Sequence, residues 1–132
     1  MDVETNAGTG EGEPEELLPL TPAVFHILLA LSAGERHGYA IMREIAAATQ
    51  GQMRLGPGTL YRSIKQLLAA GLIEESAERP DPALDDERRR YYRLTGFGRQ
   101  VAQAEARRLA RLVREAESRR LLPGAPGIEG TL

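Results

Sequence analysis

Apolar residues recur along this chain with two different periods, and the change from one to the other outlines its elements. Val24, Ile27, Leu28 and Leu31, with Phe25 beside them, share one face of a helix. Thr21-Pro22 opens it as a side-chain cap followed by proline at the first helical position. Its end is predicted near Ser32, before Gly34. His37-Gly38-Tyr39 starts a second helix with Ile41, Met42, Ile45 and Ala48 inward, and Gly51 stops it. Gln52-Met53-Arg54-Leu55 is expected as a short extended piece. A third helix is predicted over about 57–70, opening at Gly56-Pro57-Gly58 and closing at Gly71, with Leu60, Ile64, Leu67 and Leu68 inward.

The period then drops to two. Leu72 to Ser76 reads as a strand and Arg89 to Leu94 as its hairpin partner. Tyr92 and Leu94 fall on one face, Tyr91 and Arg93 on the other. The connection between them carries Pro80, Pro82, Asp81, Asp85, Asp86 and Glu87 and is expected as a mobile loop. Thr95 can cap a last helix over 95–120, about 40 Å long. Its apolar positions are Val101, Ala104, Ala106, Leu109, Leu112, Val113 and Ala116. A lone helix of this length leaves part of such a stripe wet, so a partner chain is the economical cover. The alternative is packing on the first helix of the same chain, and both can hold at different heights.

The outward face of the third helix carries candidate chemistry. Gly58, Thr59, Arg62, Lys65, Gln66 and Ala69 point away from the apolar side. The face is small, polar and cationic and has no carboxylate, so it can enter a DNA major groove without electrostatic penalty. Arg62 can fork onto guanine, and Gln66 onto adenine or a phosphate. Thr59, near the helix start, suits a phosphate together with backbone N–H groups. Tyr61 lies on the flank, as a phosphate contact or a half-buried packing residue. Tyr39 and Arg43 on the second helix are further phosphate candidates, with an ion pair to Glu35 or Glu44 as the alternative for Arg43. Arg88, Arg89 and Arg90 follow the acidic loop and cannot all face one way; Arg89 and Arg90 are the candidates here.

Composition sharpens this picture. The 132 residues fit one small domain, with 42% hydrophobic and only 5% aromatic residues, so the core must be mostly aliphatic. The net charge of −2 hides a split. Residues 1–20 hold six acids and no base, and the remainder holds 13 acids against 17 bases, a mildly basic body with an acidic tail. The chain has no cysteine, which excludes disulfides and thiolate metal sites. His26 and His37 lack partners at ligand spacing, and no catalytic triad or phosphate loop is present; no cofactor, no metal and no enzymatic activity are expected. No apolar run is long enough to span a bilayer and the N-terminus is acidic, so a soluble cytoplasmic protein is expected.

Three segments together resemble a known family. Leu31 to Glu44 (LSAGERHGYAIMRE), Pro57 to Ile73 (PGTLYRSIKQLLAAGLI) and Arg89 to Gly98 (RRYYRLTGFG) are similar to the PadR family of bacterial transcriptional regulators, in its short form with one C-terminal helix. The resemblance covers about residues 20–118. It implies a mainly α fold with a small β-hairpin: a winged helix-turn-helix plus a long C-terminal dimerisation helix. The division expected is an acidic disordered tail at 1–16, the winged domain at 17–94, the dimerisation helix at 95–120 and a flexible tail at 121–132. Helix 57–70 becomes the recognition helix and the hairpin the wing. Phe97, Val101, Ala104, Leu109, Leu112, Val113 and Ala116 become the dimer contact. The implied partners are a palindromic operator in double-stranded DNA, a second copy of the chain, and a small hydrophobic or phenolic effector that releases a repressor. The acidic tail and acidic wing loop favour a different class, a winged-helix protein-interaction module with weak or no DNA binding.

Overall fold

The computed structural model describes residues 12–76 and 90–123. Pro14–Leu17 forms a single 3-10 turn. Then come α1 (Pro22–Ser32), β1 (Arg36–His37), α2 (Gly38–Ala48), α3 (Pro57–Ala69), β2 (Ile73–Glu75), β3 (Tyr91–Leu94) and α4 (Gly96–Ser118). The strands form one antiparallel sheet with β3 in the middle, in the order β1-β3-β2. Arg36 pairs with Tyr92 and His37 with Tyr91 on one side, and Ile73, Glu74 and Glu75 with Leu94, Arg93 and Tyr92 on the other. Among the described residues no helix is long and apolar enough to cross a membrane.

The helix starts follow from local chemistry. Thr21 Oγ1 accepts from the Val24 N–H at 3.2 Å, ahead of Pro22. His37 caps α2 with its ring, Nδ1 accepting from the Ala40 N–H at 3.1 Å. That fixes which ring nitrogen carries no proton. Gly56 and Pro57 start α3 without a side-chain cap. Its end uses Gly71 at φ 80°, where the Leu72 N–H reaches back to the Leu67 carbonyl at 3.0 Å.

One aliphatic core joins all the helices. Ile27, Leu28 and Leu31 from α1, Ile41 and Ile45 from α2, Leu60, Ile64 and Leu67 from α3, Leu72 and Ile73, and Val101 from α4 are all buried. Each such side chain contributes roughly 1.5–3 kcal/mol by leaving water. Two close crossings set the helix angles. A Cβ on Gly38 would lie 2.8 Å from Cζ of Tyr61, and one on Gly98 would lie 2.8 Å from the carbonyl carbon of Leu72. Thr95 completes the second joint: its hydroxyl donates to the Gly71 carbonyl at 2.6 Å and accepts from the Gly98 N–H at 2.9 Å. The end of α3 is thereby tied to the start of α4.

Three expectations need correction. The extended piece at 52–55 is no strand: Thr49 Oγ1 donates to Ile45 O at 2.9 Å and accepts from the Met53 N–H at 3.0 Å, coiling the link after α2. The short strand lies instead at Arg36–His37, before α2. Two residues are too few for any periodicity to reveal it. The acidic tail expected as disordered through residue 16 includes the 3-10 turn at Pro14–Leu17, which packs on α4. Finally, Phe97, Val101 and Ala104, expected at a dimer contact, are buried in the chain's own core, because α1 and the sheet already cover the first turns of α4. Residues 1–11, 77–89 and 124–132 lie outside the described residues, and with them Arg89, the expected mobile loop and the expected flexible tail beyond residue 123.

Candidate nucleic-acid interface

α3 turns Leu60, Ile64 and Leu67 into the core, so its remaining residues must face out. Gly58, Thr59, Arg62, Lys65, Gln66 and Ala69 are all exposed, as their spacing predicts. Beside them runs a groove of about 670 Å³ between α3 and the sheet. Ile64, Leu68, Tyr61 and Tyr92 form its floor, and Arg62, Lys65 and Arg90 its rim. Among the described residues, no acidic residue lines it.

The sheet brings Arg90 there by alternation. Tyr92 is buried with its side chain toward the core, so Arg90, two residues earlier, continues the same face outward past α3. Glu75 stands opposite Tyr92 and reaches Arg90 Nε at 3.5 Å. On the other face Glu74 stands opposite Arg93 and pairs with it at 2.8 Å. His37 supports the same strand, its ring edge-on to Tyr91 at 5.3 Å between centroids.

The remaining candidates fall into two groups. Tyr61 is half-buried with its ring against Gly38, which supports packing, although it also lines the groove. Tyr39 is 56% exposed on α2, and the Arg43 guanidinium lies over its ring at 5.1 Å. Glu44, one of the ion-pair partners considered for Arg43, pairs with Arg36 at 3.1 Å. Arg36 Nε also donates to the Ala30 carbonyl at 3.0 Å, holding β1 to α1. On α4, Leu112 and Val113 are 53% and 46% exposed, with Leu109 and Ala116 partly covered.

One polar site was not foreseen from sequence. Glu105 is buried at 2% exposure. It accepts from Arg108 Nε at 2.6 Å and Nη2 at 3.0 Å, and from the Leu20 N–H at 3.1 Å. The Arg108 hydrogen bonds hold its carboxyl below the ordinary range against the opposing effect of burial, and the Leu20 N–H adds to the lowering. The spacing of Glu105 and Arg108 looks like any exposed i,i+3 pair. Only the N-terminal segment folding over it makes it interior.

The family model that matches the chain is the transcriptional regulator PadR-like family, over residues 27–104. The chain is also 36% identical over 90 residues to the transcriptional regulator Rv3488 of Mycobacterium tuberculosis, covering 68% of this chain and 78% of that one. This chain belongs to the PadR-like family of transcriptional regulators. Its winged helix-turn-helix and DNA-binding role follow the family, which is one of regulators and not of enzymes. The PadR match ends at Ala104, one residue before the last buried residue of α4, Glu105. A further relative is an uncharacterized 37.1 kDa protein in transposon Tn4556 of Streptomyces fradiae, 37% identical over 86 residues. That match covers 65% of this chain, which spans only 22% of the Streptomyces protein. Among solved structures, Bacillus subtilis PadR in complex with operator DNA superposes with a TM-score of 0.55 at 23% identity. It covers 65% of this chain and 47% of that one, and shows that the fold is shared.

Proposed function

We propose that this PadR-like chain is a homodimeric repressor that reads a palindromic operator with α3 in the major groove. The observation that carries this reading is the carboxylate-free face of α3, set across a cationic groove from Arg90 of the wing. Arg62 and Gln66 serve base edges, Thr59 and Gly58 let the backbone near the helix start approach a phosphate, and Lys65 and Arg90 carry the sequence-independent part. Tyr39 with Arg43 offers a further phosphate contact. The exposed Leu112 and Val113, with Leu109 and Ala116 beside them, support dimerisation through the outer half of α4. Release by a small hydrophobic or phenolic effector is the switch that the PadR resemblance implies; a thermal-shift panel of phenols tests it.

The experiment for DNA reading is a pull-down of genomic fragments by purified protein at moderate salt. Enrichment of palindromes with half-sites about one helical turn apart is expected. The R62E/K65E double variant, which reverses both helix charges, should lose them. Unchanged behaviour after that reversal would instead favour the protein-interaction module.

A further inference from the structure

The wing brings a carboxylate close to a groove whose lining, among the described residues, has none. Glu75 and Arg90 lie on the face of the sheet that overlooks α3, in contact at 3.5 Å, with side chains 33% and 45% exposed. A pair this open adds little to folding, so stability alone does not account for its place. Its position beside Arg62 and Lys65 has a larger consequence. Any phosphate that approaches Arg90 must displace Glu75 and then tolerate its charge nearby.

We propose that Glu75 is an internal competitor for phosphate at Arg90, which keeps sequence-blind DNA binding weak. This rests on the reading of the groove as the DNA site. In the free protein Arg90 is neutralised by Glu75. On docking, a phosphate takes the guanidinium and releases a condensed cation, while Glu75 keeps its charge beside the bound phosphate and offsets part of that gain. The weight of recognition is left to α3, whose base-edge contacts no internal carboxylate offsets.

The neighbouring residue supplies the control. Glu74 carries the same charge on the same strand, but its partner Arg93 lies on the opposite face of the sheet. A general effect of net charge acts at both positions, and competition at the groove acts only at Glu75.

The test is binding of the full chain to a random-sequence DNA duplex, by fluorescence anisotropy between about 50 and about 200 mM salt. Glu75→Gln keeps the side-chain shape and removes the charge. It should tighten binding about 3- to 10-fold at the lower salt, with the gain shrinking as the salt rises. Glu74→Gln should change affinity by less than about 2-fold, given screening over roughly 10 Å. The Arg90→Gln single variant and the double variant with Glu75→Gln should differ much less than wild type and Glu75→Gln do. Binding by Glu75→Gln no tighter than wild type, or an equal gain from Glu74→Gln, overturns the proposal while leaving the DNA reading in place. Failure of wild type and variants alike to bind overturns both.

Discussion

The two halves of α4 carry the same kind of apolar stripe and meet opposite fates. In the first half Phe97, Val101 and Ala104 are sealed against α1 and the sheet. In the second half Leu112 and Val113 stand about half exposed on a helix that continues to Ser118. Spacing alone says that a face is apolar. Which surface covers it depends on how far the rest of the domain extends, and here the domain stops near Glu105. The inner half is a folding element and the outer half an exposed apolar surface, joined in one unbroken helix.

The sharpest way to break this contrast is to place a charge in each half. Val101→Asp should cost more than about 4 kcal/mol and prevent folding, as judged by loss of the helical circular dichroism signal. The paired change Leu112→Glu with Val113→Glu should leave that signal and the melting temperature of the monomer intact. Light scattering should then show a single chain, and operator affinity should fall about 100-fold as two linked half-sites become one. Persistence of a dimer in that variant would place the interface elsewhere.

The boundary between the halves is set by Glu105. Glu105→Gln should lower the melting temperature by about 5 °C, as a buried charge-assisted network loses its ionic member. Because Arg108 lowers the folded carboxyl below its ordinary value of 4.5, the stabilisation is fully present above that value. It is lost as the pH falls through the lower folded value. The glutamine variant should therefore approach wild type in acid and differ from it at neutral pH. The smallest effect is expected furthest out. Arg119 and Glu115 form a hydrogen-bonded pair at 2.6 Å on the exposed end of α4, and Glu115→Gln should shift melting by less than about 2 °C.

Much of this was legible before any coordinates. The helices declared themselves through caps and apolar spacing: Thr21, His37, Gly71 and Thr95 all act at the boundaries where their residue types suit them. The outward set on α3 was legible for the same reason, since three buried positions on one helix dictate the rest. What stayed hidden depends on contacts between distant segments. β1 has only two residues, and its partner is more than 50 positions away. The Glu105 site needs Leu20, 85 positions earlier. Which wing carboxylate faces which arginine follows from a register that only the folded hairpin reveals.

The joint at Thr95 and Gly98 makes the protomer behave as a rigid caliper. With the Gly71 carbonyl bonded to Thr95 and no room for a side chain at Gly98, the reading head cannot swivel on its shaft. In the proposed dimer, the gap between the two tips is then set by the angle at which the shafts cross. A shaft of about 35 Å turned by about 10° carries its tip about 6 Å, nearly two base steps along the duplex. An effector that opened the crossing by so little would spoil the fit to both half-sites without touching either recognition helix.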